Sequence, residues 1–215
     1  MASWDLSWER LDTEVAKAIA GYVAVNGALT SIGVTGLNLK RNKLAEGWGA
    51  IISAVCASTV SKISSIDARA AKIGSAGAKA IGEALRTSVN GELTEIKLTG
   101  NDIGTTGWCA IFNALRDNKD NKIASWDLSE QGIGTEATKA IAGYVAVYGA
   151  LTSIGVTGLN LKGNNLAEGW GATISAVCAT PVSKISSTDA SGERTGDAGA
   201  HGIGDELRAS VHAAL

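Results

Sequence analysis

Across Leu93–Leu115 the apolar positions switch from one period to another. Leu93, Ile96 and Leu98 follow an L-x-x-I-x-L spacing, Asn101 and Ile103-Gly104 come next, and Ile111 and Leu115 then fall on one helical face. Period-two spacing predicts a short strand whose alternate side chains face opposite ways. The later stripe predicts an amphipathic helix. The same switch recurs around Trp126, Leu128 and Ile133, around Leu159, Leu161, Asn164 and Leu166, and around Ile66, Ala68 and Ile73. Aligned on Asn101, the landmark positions are Glu9, Asn42, Ala71, Asn101, Gln131, Asn164 and Glu193, at spacings of 33, 29, 30, 30, 33 and 29 residues. Seven strand–helix units are therefore expected. A helix stripe such as Ala80, Ile81, Ala84 and Leu85 buries one side only. No unit can bury both its strand and its helix alone, so neighbours must stack.

The repetition is nested. Ser3–Ser65 and Ser125–Ser187 align without gaps, and about 50 of the 63 positions are identical. Their offset of 122 residues equals four unit spacings, so a four-unit block, 3–124, is partly duplicated as 125–215. Residues 1–215 are expected to form a single domain of stacked units. Both copies of the second unit carry five residues, "IGVTG", at Ile32–Gly36 and Ile154–Gly158, between "LTS" and "LNL". Gly and Thr favour a bulge or loop at the strand entrance. The alternative is that Leu29–Val34 forms the strand and the register slips. The bulge is preferred because "LNL" then stands at the right distance from Asn42 and Asn164.

The L-x-x-L-x-L-x-x-N-x-L pattern followed by a helix resembles leucine-rich repeat proteins, and units of nearly 30 residues resemble their ribonuclease-inhibitor-like subclass. The resemblance covers essentially the whole chain. It implies an α/β fold: a curved solenoid of about seven strand–helix units, with a parallel sheet on the concave face and helices on the convex face. It also implies that the landmark Asn bonds backbone groups in the turn after each strand. Glu9, Ala71, Gln131 and Glu193 depart from that rule, so their turns must rely on other partners. The chain also lacks the abundant cysteine of ribonuclease inhibitors, and their function is not carried over.

Composition narrows the functional classes. A net charge of −2 provides no global attraction for nucleic acid or an anionic membrane. Twenty-seven glycines and a single proline, Pro181, suit close-packed helices with sharp turns. Cys56, Cys109 and Cys178 form an odd set without C-x-x-C spacing, which favours free thiols in a reducing, intracellular compartment. The start "MASWDLSWERLD" lacks a signal-peptide pattern. Ala140–Leu161 is uncharged over a bilayer-spanning length, but Gly143, Gly149, Gly155 and Gly158 interrupt it. The repeat register accounts for it better than a membrane span.

Candidate chemistry adds little. "GIGTEA" at Gly132–Ala137 matches G-x-G-x-x-A, yet it falls in a strand-to-helix turn without the rest of a nucleotide-binding unit. His201 and His212 have no paired zinc-ligand spacing. Cys56 and Cys178 sit at equivalent helix positions, which suits small buried thiols. Arg116–Lys122, "RDNKDNK", lacks the Gly and Glu of a calcium loop and is expected to be a solvated connection. No cofactor, no metal and no catalytic cluster is expected.

Binding is the remaining class. Strand alternation places Asp5, Asn38, Asp67, Lys97, Asp127, Asn160 and Asp189 in the central column of the concave face, flanked by Arg69, Glu95 and Lys162. This acidic-leaning surface is the candidate site for basic protein segments. A hydrated face with no ligand is the alternative. Trp4 and Trp126 replace a strand leucine and are expected in the core. Trp48, Trp108 and Trp170 are expected to pack between units. Trp8, where the second copy has Glu130, is the candidate exposed contact. The expected function is a non-enzymatic protein–protein interaction or scaffold module, an accessory subunit of a larger complex. Regulation of a small GTPase or nuclease is the alternative that the resemblance implies. The terminal units carry no recognisable polar cap, which leaves a protein partner or missing repeats to cover them.

Overall fold

The computed structural model describes residues 4–33, 36–39, 41–89, 92–123, 126–147, 159–164, 166, 171, 173 and 175. Short strands and longer helices alternate except at the consecutive strands β2 and β3: β1 (Trp4–Asp5), α1 (Thr13–Val25), β2 (Ser31–Ile32), β3 (Leu37–Asn38), α2 (Gly47–Ala57), β4 (Ser65–Asp67), α3 (Gly74–Arg86), β5 (Glu95–Lys97), α4 (Gly104–Asp117), β6 (Trp126–Asp127), α5 (Thr135–Val147) and β7 (Leu159–Asn160). Among the described residues all strand pairs are parallel, in a five-stranded sheet of order β1-β3-β2-β4-β5 and a two-stranded sheet β6-β7. Among the described residues the five helices pack only on their sequence neighbours, α1 on α2, α2 on α3, α3 on α4 and α4 on α5. The fold is α/β, and the sheet is not closed into a barrel.

The turn after each strand except β2 has one backbone solution. Relative to the landmark position, the preceding residue is left-handed at Trp8, Arg41, Ala70, Gly100, Glu130 and Gly163, with φ between 52° and 74°. Asn101 is fully buried and holds two such turns together. Its Nδ2 donates to the Leu98 carbonyl (2.7 Å) in its own turn and to the Ala68 carbonyl (2.8 Å) in the preceding one. Its Oδ1 accepts from Ala71 N (2.7 Å) and Ile73 N (3.4 Å). Asn42 joins Leu6, Leu11 and Leu39 in the same way. Asn164 joins Leu128, Gln131, Ile133 and Leu161. Each Asn thus serves the turn before it as well as its own. That explains how the Glu9, Ala71 and Gln131 turns form without the landmark residue: the next unit's Asn supplies their partners.

The core lies between the sheet and the helices. Ile32, Leu37, Ile66, Ile96 and Trp126 point into it from the strands, and Ile51, Ile81, Ile111 and Ile141 from the helices. Small residues let the helices approach closely. A Cβ at Gly82 would stand 2.9 Å from the Ala110 carbonyl oxygen, and one at Gly107 would stand 2.8 Å from the Ala78 Cβ. The buried stripe of α3 is Ala78, Ile81, Ala84 and Leu85, while Ala80 is exposed at its edge, contrary to the sequence reading.

Three other expectations change. First, Ser31–Ile32 is not a bulge at the entrance of Leu37–Asn38. It is a separate strand, pairing with Leu37 on one side and Ser65–Ile66 on the other. The chain steps sideways by one strand position, a move that a Cβ at Gly36, 2.0 Å from the Ser31 carbonyl oxygen, would block. Its duplicate at Ile154–Gly158 lies outside the described residues. Second, the 116–122 connection is exposed as expected at Arg116, Asp117, Lys119, Asp120 and Lys122, but Asn118 and Asn121 are buried. Asn118 Nδ2 donates to the Leu85 and Ser88 carbonyls at 2.7 and 3.2 Å, tying the ends of α3 and α4 together.

Third, Trp4 is 49% exposed whereas Trp126 is 1% exposed. The two occupy the same position in the duplicated blocks, and Trp126 is covered by α4 through Phe112, while among the described residues no helix covers Trp4 in that way. Trp48 and Trp108 are buried, and Trp170 lies outside the described residues. No helix among the described residues is long and apolar enough to cross a membrane. The 140–147 part of the uncharged stretch belongs to α5.

Candidate functional site

The face of the sheet opposite the core carries the charged residues, and their partners are already in place. Asp5 accepts from Ser7 N (2.9 Å), Ser7 Oγ (2.6 Å) and Asn38 Nδ2 (3.0 Å). The Ser7 bonds favour its ionised form, with a smaller contribution from Asn38, and hold its carboxyl below the usual range. Asp127 repeats this arrangement with Ser129, at 3.1 Å from N and 2.6 Å from Oγ. Asp67 holds Arg69 in a bidentate pair of 2.9 and 2.8 Å, and that hydrogen-bonded pairing raises the guanidinium pKa further. Glu95 accepts from Ser65 Oγ (2.8 Å) and pairs with Lys97 (3.3 Å).

The face is therefore a set of local pairs rather than a row of bare carboxylates. A basic ligand would compete with Ser7, Ser129, Arg69 and Lys97 for these oxygens. Lys162 is exposed on the next turn, and Asn160 lies on β7, paired in register with Asp127. Asp189 lies outside the described residues.

A second feature sits at the turn after β1. Trp8 is 65% exposed, and the Arg41 guanidinium stacks over its ring at 4.3 Å. Trp8 has φ 66°, a conformation that costs a bulky residue about 1–3 kcal/mol. The equivalent turn in the second block is built with Glu130 at φ 57° and Gly163 at φ 73°. Neither the aromatic ring nor the guanidinium is needed to make it. Sequence reading singled out Trp8 and missed Arg41. The signal for Arg41 was available: both members of the pair differ between two copies that are otherwise nearly identical.

A third feature lies at the outer side of β1 and α1. Trp4 stacks on Tyr22, with ring centroids 4.9 Å apart and planes 11° apart. Together with Leu6, Ala18, Ile19 and Leu37 they line an apolar cavity of about 190 Å³. This groove was hidden by the assumption that Trp4 is core.

Reactive groups are few. Among the described residues no group of three or more His, Cys, Asp or Glu is placed to hold a metal ion. Burial pushes the Cys56 thiol up to about 11, and burial followed by the nearby Glu136 raises that of Cys109. Neither thiol is activated for nucleophilic chemistry. The "GIGTEA" stretch spans the end of the β6–α5 turn and the first residues of α5, and its Ile133 N–H is bonded to Asn164 rather than available to a phosphate. His201, His212 and Cys178 lie outside the described residues. Compared with known proteins, the sequence matches no family model and no curated protein.

Proposed function

We propose that the chain is a leucine-rich repeat solenoid of about seven units, resembling the ribonuclease-inhibitor-like subclass, and that it works as a non-enzymatic protein-binding scaffold within a larger complex. The matching Asn42, Asn101 and Asn164 turns and the strictly sequential helix packing support the solenoid.

The observation that carries the binding role is the Trp8–Arg41 pair. A strained, exposed tryptophan stacked by an arginine is held at a turn whose duplicate forms without either residue. Trp and Arg are the side chains that dominate binding energy at protein interfaces, so this corner is the anchor of the proposed contact. The paired charges of Asp67–Arg69 and Glu95–Lys97 on the concave face then set orientation rather than affinity.

The test exchanges the corner for its own duplicate, Trp8→Glu with Arg41→Gly. This preserves the fold because the second block already contains it. The wild-type chain should retain a stoichiometric protein partner through native purification, and the double variant should lose it with an unchanged circular dichroism spectrum. Equal retention by both proteins would remove the corner from the interface, and turnover of a substrate by the isolated chain would overturn the scaffold role.

A further inference from the structure

The duplication supplies an internal control for the outer side of β1 and α1. Helices α1 and α5 differ only at Val15/Ala137 and Ala16/Thr138. In the second block the face built from these residues is covered. Phe112 of α4 lies 5.2 Å from the Trp126 ring and 5.6 Å from that of Tyr144, and both rings are buried. Arg116 passes 3.5 Å from where a Cβ of Gly143 would be, and the Tyr144 hydroxyl donates to the Ile123 carbonyl at 2.7 Å. In the first block the same face is open. Trp4 is half-exposed, nothing lies within 4 Å of a Cβ at Gly21, and the Tyr22 hydroxyl accepts from Asn26 of its own unit. Among the described residues α1 packs on α2 alone and β1 pairs on one side alone.

We propose that this β1–α1 face is a docking surface for a strand–helix unit equivalent to β5–α4, carried by another polypeptide, with an aromatic side chain at the position of Phe112. The inference rests on the stacked-unit reading above. Its occupant is read from the one surface of like sequence whose cover is seen. The partner's strand would lie beside the open edge of β1, as β5 lies beside β6. Its aromatic side chain would fill the cavity that the stacked Trp4 and Tyr22 line with Leu6, Ala18, Ile19 and Leu37. Its helix would cross Gly21 as α4 crosses Gly143.

The experiment uses the full chain and the peptide Leu93–Ile123 as probe, with hydroxyl-radical oxidation of Trp4, Tyr22 and Trp126 read by mass spectrometry. Saturating peptide should reduce Trp4 oxidation to the level of Trp126, and a Phe112→Ala peptide should bind at least roughly thirtyfold more weakly, the loss expected of an interface anchor. Because the free peptide must fold on binding, a second chain carries residues 93–123 joined directly ahead of Ala2, reproducing the junction before Ser125. In it Trp4 should be protected without added peptide. Failure of both to protect Trp4, with Trp126 still protected, would overturn the docking surface alone. Oxidation of Trp126 in the unmodified chain would instead overturn the stacked-unit reading. Protection by the joined unit but not by the peptide would overturn docking between chains. Dimerisation of the unmodified chain with Trp4 protected would replace the proposed occupant by a second copy.

Discussion

Asn101→Ala removes the most deeply buried of the three turn clamps. The side chain is 0% exposed and makes three bonds of 2.7–2.8 Å and one of 3.4 Å, shared between two units. Truncation leaves the Ala71 N–H and the Ala68 and Leu98 carbonyls without their side-chain partner. A buried polar group left unsatisfied costs about 1–3 kcal/mol, and water entering the space returns part of that, so the expected loss is about 3–5 kcal/mol. This is a large share of the roughly 5–15 kcal/mol that holds a domain together. Gln131→Ala is the comparison. Its side chain accepts from Gly100 N (3.0 Å) and donates to the Ser129 carbonyl (2.8 Å) at a half-exposed position. Water can replace both bonds, and the loss should stay near about 1 kcal/mol. Urea unfolding followed by circular dichroism measures both, and amide exchange should accelerate first at Ala71 and Ile73 in Asn101→Ala. Equal losses in the two variants would refute the clamp as the element that holds successive turns.

Two further outcomes follow from the duplicated blocks and the buried thiol. Trp126→Ala should lose about 3–5 kcal/mol of unfolding free energy because it empties a closed core site, whereas Trp4→Ala should lose about 1 kcal/mol or less in the same urea titration. Similar losses would contradict the different covering of the two residues. Cys56 holds its proton in the folded state up to about 11, from an ordinary value of 9.0. Its stabilising contribution is complete below the unfolded value and is lost as pH rises between the two. Stability should therefore fall by about 1.4 kcal/mol per pH unit more in the wild type than in Cys56→Ala across that window. Parallel slopes would mean that the thiol is open to solvent.

The sequence made the turns legible because a buried turn with unpaired backbone groups admits few side chains. Asn carries both a donor and an acceptor, so Asn42, Asn101 and Asn164 mark the units directly. The exceptions were also legible as exceptions, but their rescue was not. Nothing local at Ala71 announces that Asn101, 30 residues later, bonds to it. Periodicity failed at Ser31–Ile32 because two residues are too few to show alternation, and the pairing that defines this strand comes from Leu37 and Ile66. It failed at Trp4 for a different reason. Burial belongs to the neighbours of a residue rather than to the residue, and identical strings at Trp4 and Trp126 have different neighbours. Arg41, which completes the contact with Trp8, was visible only as a difference between the copies.

The distance between α1 and α5 tests the stacked array most directly. Spin labels at Lys17→Cys and Lys139→Cys, with Cys56, Cys109 and Cys178 replaced by Ala, occupy equivalent exposed positions in the duplicated helices. Four successive helix contacts of about 8–10 Å each predict a label separation of roughly 30–45 Å by pulsed electron–electron resonance. A distribution centred below about 20 Å would place α5 directly against α1 and contradict an open stack of units.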